Sequence, residues 1–254
     1  MKLSILIPVF FGEDIFEECL NSLYRSAEGK LKRDWEILAY NNGFSPERWQ
    51  ELGEIFPEVR FFGEGKNVGF AEANNFLLRE SKGEFILFLN QDVLIRPLVI
   101  EKLIDFLEKN KEYDCVAPKL IYKNQEVQYS CRPFPTLSLF VKDFFTGGKS
   151  YRFFYSPEVS QEVDQPMASC LLWRKKTLRK LGGFDAHPHF FLYFNDVDLS
   201  YRLVHDLKGK SYFLADLFAF HYHGSSAYVL PERERLFLWF KGLGRFWYKK
   251  EGNY

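Results

Sequence analysis

The sequence predicts an α/β fold: a doubly wound, mostly parallel sheet, then a mixed second half and a C-terminal amphipathic helix. Three observations predict it. Residues 1–117 alternate apolar runs with segments of helical periodicity. Residues 118–163 replace that alternation with Pro, Gly and aromatic residues, and residues 231–254 interleave aromatic with basic residues at helical spacing. Because no repeat or linker separates these parts, we predict one domain over 1–254.

The first part contains the clearest elements. Five apolar runs predict strands: Leu3–Phe10, Trp35–Tyr40, Val59–Phe62, Glu84–Leu89 and Tyr113–Ala117. Four segments with apolar residues three and four apart predict helices: Glu13–Arg25, Pro46–Phe56, Phe70–Glu80 and Pro97–Lys109. Ser45 before Pro46 is a typical helix start. Glu84–Leu89 is nearly all apolar, which indicates a central strand of a sheet that is covered on both faces.

The second part is less regular. Residues 118–163 carry no long helical pattern and predict hairpins and a mobile loop. Regular structure is predicted again over strands Met167–Trp173 and Ser211–Phe220, an aromatic strand at Phe190–Phe194, and helices Lys175–Leu181, Val197–Val204 and Glu232–Lys249.

Composition excludes several classes of protein. Lys plus Arg equals Asp plus Glu at 34 each. This balance argues against a nucleic-acid partner, because a protein that neutralises the phosphates of a nucleic acid needs more Lys and Arg than Asp and Glu. The four cysteines form no CxxC pair, so we expect buried, reduced thiols in a cytoplasmic protein. No run of 18 apolar residues occurs, and the apolar start before Pro8 predicts a strand rather than a secretion signal.

The residues directly after the strands are the first candidates for a site, because parallel sheets bind ligands beyond the carboxyl ends of their strands. Asn90, Gln91 and Asp92 follow the fourth strand, where a carboxylate can hold Mg²⁺ or Mn²⁺ bridging a diphosphate. The alternative is that Asp92 only begins a turn. The glycines from Gly63 to Gly69 precede a helix and allow close approach of an anion. They also resemble a degenerate dinucleotide fingerprint, which makes an oxidoreductase a minor alternative.

Two further clusters lie in the second part. Asp196 and Asp198 begin a predicted helix, where one of them can act as a general base or both can stabilise the helix start. His221 and His223 end the last predicted strand and point to opposite faces, so at most one is expected to bind a metal ion at a given site. The alternative is that each histidine packs in the core.

Taken together, these segments resemble the inverting family-2 glycosyltransferases of the GT-A fold, in the rhamnosyltransferase-like branch. The motifs that carry the resemblance are Leu3–Phe10, Asn67–Asn75 (NVGFAEANN), Leu89–Val93 (LNQDV), Ala168–Arg174, Gly182–Asp185, Phe191–Leu199 (FLYFNDVDL) and His221–Ser226 (HxxGxS). The family's processive synthases carry a QxxRW motif, which this chain lacks, so the resemblance implies that single sugars are added.

The resemblance implies a transfer from a nucleotide-diphospho-sugar to a glycan or lipid-linked acceptor in cell-surface polysaccharide synthesis. Asp196 would be the base, and Asp92 with His221 would hold a divalent cation, Mg²⁺ or Mn²⁺. The implied nucleotide-sugar contacts are Pro8, Phe10, Tyr40, Asn41, Asn67, Gly69, Phe70, Asn74, Asn90, Gln91 and Asp92. The implied acceptor-side residues are Ser169, Cys170, Tyr193 and Asp198.

The chain departs from the family pattern at three places. Asn90 and Asn195 replace acidic residues, which keeps a non-catalytic nucleotide-sugar or glycan-binding protein as the alternative function. Tyr40 or Asn41 occupies the position of the usual base-reading Asp, so Tyr40 is a candidate for stacking on the base.

The C-terminal segment offers two interpretations. Residues 231–254 contain six basic and three acidic residues, a net charge of +3, among many aromatic residues. Such a helix can lie on the inner face of the cell membrane. Alternatively, it packs its apolar stripe on the core.

Overall fold

The fold is built on one mixed sheet. The computed structural model describes residues 1–10, 12–136, 154–191, 193–222 and 231–250. The strands in this part of the chain are Leu3–Val9 (β1), Trp35–Asn41 (β2), Val59–Phe62 (β3), Phe85–Leu89 (β4), Val93–Leu94 (β5), Cys115–Ile121 (β6), Val127–Gln128 (β7), Cys131–Arg132 (β8), Gln161–Val163 (β9), Gln165–Pro166 (β10), Cys170–Arg174 (β11) and Ser211–His221 (β12). The main order is β3-β2-β1-β4-β11-β6-β12-β5, with β7 on β6 and β9 on β12, while β8 and β10 form a separate pair.

Helices cover both faces of this sheet. They are Glu13–Ala27 (α1), Pro46–Ile55 (α2), Phe70–Glu80 (α3), Val99–Lys109 (α4), Lys175–Leu181 (α5), Asn195–Leu207 (α6) and Glu232–Lys250 (α7). Successive residues of β4 point to opposite faces, so Phe85, Leu87 and Leu89 pack with α1, α2 and α4. Ile86 and Phe88 pack with α3, α5 and α6. The predicted doubly wound α/β class is therefore confirmed, as is the central position of β4.

One central strand, β11, runs antiparallel to both of its neighbours. β11 lies between β4 and β6 and is antiparallel to both, from Cys170 opposite Leu89 to Arg174 opposite Phe85. The predicted strand began at Met167, whereas β11 begins at Cys170. The cause is that Met167 donates its backbone N–H to Ser130 O, 2.9 Å away, and the preceding β10 pairs with β8.

The segment before α6 differs from its prediction. An aromatic strand over Phe190–Phe194 is wrong, because Pro188–Phe190 forms a 3₁₀ turn and Phe194 adopts a left-handed conformation with φ 69°. The rings of Phe190 and Phe194 turn inward and pack on α7 instead of alternating along a sheet. α6 then begins at Asn195, two residues earlier than predicted.

The loop prediction for residues 118–163 is tested only in part. The β6–β7 hairpin, with Leu120 opposite Gln128, confirms one predicted hairpin. Residues 137–153, where the mobile loop was predicted, lie outside the described residues.

The four cysteines are buried and free, as expected. Among the described helices, none is long and apolar enough to cross a membrane.

Candidate active site

A cavity of about 300 Å³ opens where β1, β4 and β12 end and where β11, α3 and α6 begin. The strand directions explain this position, because carboxyl ends of the parallel strands meet the amino end of antiparallel β11 at one edge of the sheet. Twelve predicted site residues line the cavity: Pro8, Phe10, Asn67, Gly69, Phe70, Asn90, Gln91, Asp92, Ser169, Tyr193, Asp196 and His221.

Asp92 and His221 meet on one wall of the cavity. β5 pairs antiparallel with β12, with Val93 opposite His221, and Tyr222 donates its backbone N–H to Asp92 O at 2.9 Å. His221 Nε2 then lies 3.2 Å from Asp92 Oδ1, and the two side chains are only 3% and 6% exposed. The β5 strand, which sequence analysis did not predict, is what brings these residues together.

Gln128 sets the orientation of the His221 ring. Its Oε1 lies 2.7 Å from His221 Nδ1, so this nitrogen donates and Nε2 faces the Asp92 carboxylate. In the neutral ring, Nε2 and Oδ1 would present lone pairs to each other. A metal cation bound by both atoms would remove that repulsion, and a second residue that orients a histidine is a common feature of metal sites.

Asp92 and His221 can supply two of the ligands of a divalent cation. Among the described residues, no group of three or more His, Cys, Asp or Glu side chains could hold a metal ion by itself. Mg²⁺ commonly binds through one or two protein ligands and takes its other ligands from waters and substrate phosphates. Asp92 and His221 therefore fit a cation that is completed by a bound diphosphate.

Gln91 offers a hydrogen-bond donor beside this pair. Its Oε1 accepts the backbone N–H of Phe10 at 2.5 Å, which links the ends of β1 and β4. Its Nε2 is buried and has no hydrogen-bond partner among the described residues. A buried donor without a partner is unfavourable, so an acceptor atom of a ligand would stabilise it. Asn90 is held nearby through Ser169 Oγ at 3.2 Å.

The start of α3 forms another wall. Asn67 Oδ1 accepts the backbone N–H of Gly69 at 2.9 Å, and Asn42 Oδ1 accepts that of Val68 at 3.0 Å. Gly69 has φ 86°, and a Cβ there would lie 3.0 Å from the ring of Phe191. Glycine is therefore needed for both the backbone conformation and the close approach of the aromatic ring.

Asp196 lies at the start of α6 with its carboxylate on the cavity. Oδ1 accepts the backbone N–H of Val197 at 2.9 Å, a favourable place for a negative charge. Arg132 Nη2 lies 3.2 Å from Oδ1 and 3.4 Å from Oδ2. Asp196 thus combines the two roles that the sequence left as alternatives, a carboxylate at a helix start and a base candidate in a cavity.

Three predicted nucleotide contacts lie outside the cavity lining. Tyr40 packs edge-to-face on Phe76, with ring centroids 5.3 Å apart. Asn41 stabilises a turn, since its Oδ1 accepts the backbone N–H groups of Gly43 and Phe44 and its Nδ2 donates to Phe44 O. Asn74 is fully buried in α3 and donates to Phe70 O at 3.0 Å.

Two predicted acceptor-side residues also lie away from the cavity. Cys170 is buried in β11, and burial raises the pKa of its thiol to about 12. Asp198 is buried between Arg202 Nε at 2.8 Å and Lys249 Nζ at 2.6 Å. The structure thus gives Asp198 a role in holding α6 to α7. Leu192, His223, Gly224 and Ser226 of the predicted motifs lie outside the described residues.

The cavity includes residues that sequence analysis did not select as site residues. They are Asn42, Arg132, Met167, Ala168, Phe191, Phe194 and Asn195. Phe191, Phe194 and Asn195 lie in the motif around Asp196, and Ala168 precedes Ser169, so those motifs contained a signal. Arg132 had none, because it reaches Asp196 across 64 residues of sequence.

Comparisons of sequence and structure relate the chain to known proteins. The sequence profile described as Glycosyl transferase family 2 matches residues 4–198. The chain is 26% identical over 191 residues to N-acetylglucosaminyl-diphospho-decaprenol L-rhamnosyltransferase of Mycobacterium tuberculosis, covering 68% of this chain and 62% of that protein. It is 28% identical over 184 residues to rhamnosyltransferase WbbL of Escherichia coli, covering 69% and 66%. The chain thus spans less than two thirds of the length of these relatives.

Solved structures with the same fold are also glycosyltransferases. Mannosyltransferase PcManGT from Pyrobaculum calidifontis in complex with GDP-Man and Mn²⁺ aligns with a TM-score of 0.59 at 15% identity, covering 89% of this chain and 58% of that one. TarS 1-349 of S. aureus in complex with UDP aligns with a TM-score of 0.60 at 18% identity, covering 87% and 60%. The fold is therefore GT-A, and from the profile match over most of its length the chain belongs to glycosyl transferase family 2.

Proposed function

We propose that this chain transfers a single sugar from a nucleotide-diphospho-sugar to a hydroxyl of a glycan or lipid-linked acceptor, with inversion at the anomeric carbon. The observation that carries the proposal is that one cavity holds both the Asp92–His221 pair and the Asp196 carboxylate. These are the two requirements of the reaction, a place for the leaving diphosphate and a base for the acceptor. Rhamnose is the proposed sugar, because both curated relatives described above are named rhamnosyltransferases.

The chain's own residues have separate roles in this proposal. Asp196 accepts the proton of the acceptor hydroxyl as that oxygen attacks the anomeric carbon. Gln91 Nε2 donates to the nucleotide-sugar, while Phe191 and Tyr193 line the cavity and reduce the access of water. A divalent cation on Asp92 and His221, when bound, would supply positive charge that stabilises the leaving diphosphate.

A donor screen tests the proposal. The wild-type chain with Mn²⁺ is incubated with dTDP-rhamnose, UDP-glucose, UDP-N-acetylglucosamine and GDP-mannose, and binding is followed by thermal shift. Release of nucleoside diphosphate is followed with water or a lipid extract as acceptor. We expect binding and turnover of at least one donor. No shift and no release with any donor would contradict the proposal.

The substitution Asp196→Asn separates the enzyme from a binding protein of the same fold. It removes the base but keeps the size of the side chain, so we expect turnover to fall ~10²–10⁴-fold with donor binding unchanged. Asp206→Asn, which changes an exposed carboxylate of the same helix, is the matched control. Donor binding without turnover in the wild type would favour the non-catalytic alternative.

The proposal places the chain in the cytoplasm at the inner face of the membrane, with α7 on anionic lipid. Leu236, Phe237 and Phe240 are 54%, 57% and 56% exposed on one face of α7. Lys241 lies beside them, with Nζ 4.3 Å from the Phe237 ring centroid. Exposed aromatic rings flanked by cations are the pattern of a helix that lies in a membrane interface.

The position of α7 places the proposed lipid contact next to the cavity. A Cβ at Gly242 would lie 2.8 Å from Phe194 Cδ2 and 3.1 Å from Tyr193 O, so α7 touches the segment that lines the cavity. A lipid-linked acceptor would then reach the cavity along the same surface.

Vesicle co-sedimentation tests the lipid contact. We expect binding to vesicles that contain phosphatidylglycerol and loss of binding when Phe237 and Phe240 are changed to Ser. Phe191→Ser is the control, because it also removes an aromatic ring but does so in the cavity lining, away from the exposed face of α7. Equal sedimentation of wild type with neutral and anionic vesicles, or of wild type and the double variant, would contradict the contact.

A further inference from the structure

Arg132 is held firmly against the proposed base. Its Nε donates to Gln165 Oε1, and its guanidinium carbon lies 4.7 Å above the ring of Phe154. Gln165 is fully buried and donates its Nε2 to Pro166 O at 2.8 Å, which fixes the acceptor that Arg132 uses. The guanidinium therefore has a defined position before it meets Asp196.

Arg132 leaves the two oxygens of Asp196 unequal. Oδ1 accepts from Val197 N at 2.9 Å and from Arg132 Nη2 at 3.2 Å, whereas Oδ2 has the longer Arg132 contact of 3.4 Å. Tight arginine–carboxylate pairs have N–O distances of about 2.7–2.9 Å. Oδ2 therefore accepts one hydrogen bond fewer than Oδ1 and has more remaining acceptor capacity, while Oδ1 anchors the carboxylate.

We propose that Arg132 is a positioning residue that orients Asp196 so that Oδ2 faces the acceptor hydroxyl. This inference rests on the proposed function. In the transfer, the hydroxyl oxygen bonds to the anomeric carbon as its proton moves to Oδ2. The bond from the anomeric carbon to the diphosphate oxygen breaks, and the diphosphate leaves with the electron pair.

The same short segment supports both ends of the site. Gln128 orients His221 and Arg132 orients Asp196, and only three residues separate them in the sequence. β7 and β8, which carry these side chains, pair with β6 and β10 and so have fixed positions relative to the sheet. An oriented base needs such support, since a displacement of about 1 Å can reduce a rate ~10²-fold.

The experiment uses Arg132→Ala, Arg132→Lys and Asp196→Asn, each alone, and the double variant Arg132→Ala/Asp196→Asn. The substrate is the donor that wild type consumes in the screen above, and the readout is release of nucleoside diphosphate with water or the identified acceptor. We expect Arg132→Ala to lower kcat ~10–100-fold with the donor KM within about two-fold of wild type. Arg132→Lys should recover part of kcat, and Arg79→Ala, an exposed arginine of α3, is the control.

Two further readouts exclude a purely structural role. Millimolar guanidinium chloride should restore part of the activity of Arg132→Ala, and urea at the same concentration should not. The double variant should be no slower than Asp196→Asn alone, because Arg132 acts through Asp196.

Each failure has a different meaning. Wild type with no turnover of any donor removes the proposed function and this inference with it. An active wild type with an unchanged or raised kcat in Arg132→Ala, or with additive losses in the double variant, overturns the role of Arg132 alone. A raised donor KM with unchanged kcat overturns it as well, because Arg132 would then bind the donor instead of orienting the base.

Discussion

Gln128 decides which nitrogen of His221 faces Asp92. Its amide oxygen accepts from Nδ1 and leaves Nε2 directed at the carboxylate, 3.2 Å away. Both partners are buried, so an unsuitable ring orientation could not be corrected by water at low cost. The affinity of the proposed cation site should therefore depend on a residue that does not itself contact the ion.

Gln128→Leu tests this dependence. We expect Mn²⁺ affinity to fall ~10–100-fold, because the substitution removes the acceptor that fixes the imidazole tautomer and orientation. The measurement is calorimetric titration with Mn²⁺ in the presence of a nucleoside diphosphate. Gln50→Leu, an exposed glutamine of α2, is the control. Unchanged affinity in Gln128→Leu would indicate that His221 does not bind the cation.

The elements differ in how well their own residues predict them. The apolar run Phe85–Leu89 determines a buried strand locally, and helices α1 to α4 follow from local periodicity. The direction of β11 depends on its partners β4 and β6, which no local pattern specifies. The aromatic run before α6 has strand propensity, but Phe190 and Phe194 are buried with Phe246 of α7, so tertiary packing overrides propensity.

The site residues likewise divide into those that a local motif predicts and those that only the fold brings together. Asp92 and Asp196 were predicted because each lies in a short motif beside a predicted element end. Arg132 and Gln128 could not be predicted, because their partners are 64 and 93 residues away and only the folded sheet brings them together. Conversely, Asn41 and Asp198 were selected from motifs, but their polar atoms stabilise a turn and an ion-pair cluster.

α7 is attached to the rest of the chain by a partly buried ionic contact. Lys249 Nζ lies 2.9 Å from Asp185 Oδ2, and Arg245 lies 3.7 Å from the same oxygen. Burial alone would raise the pKa of Asp185. The hydrogen bonds from Lys249 and from the His187 backbone, with the charges of Lys249 and Arg245, outweigh burial and lower this pKa below its usual value.

The lowered pKa predicts that the attachment of α7 weakens in acid. A carboxyl group whose pKa is depressed by folding stabilises the protein above its unfolded pKa of about 3.9, and this contribution is lost as the pH falls through the folded value. Asp185→Asn should therefore lower the free energy of unfolding by ~1–2 kcal/mol at pH 7. The difference from wild type should shrink below about pH 4. Urea unfolding at both pH values measures it, and a difference independent of pH would contradict the assignment.

At the scale of the whole molecule, β11 joins the two halves of the chain. It belongs to the second part of the sequence, yet all five of its residues pair with β4 in the first part. The core clusters on both faces also contain residues from either side of residue 117, such as Leu87 with Leu172 and Phe88 with Trp173. A single domain over the whole chain, predicted from the lack of a linker, is the arrangement that this sharing favours.

A fragment of residues 1–117 tests whether the first part can fold alone. Without β11, the apolar strand β4 would present an unpaired edge, and the cores on both faces would lose their partners. Such an edge promotes aggregation.

We expect the fragment to be insoluble or to unfold without cooperativity. The full chain should instead show coincident urea transitions by far-UV circular dichroism and tryptophan fluorescence. Tryptophan fluorescence reports on both parts of the chain, since Trp35 and Trp49 lie in the first part and Trp173 lies on β11. A soluble fragment with its own cooperative transition, or two separate transitions in the full chain, would instead indicate two domains that meet at β11.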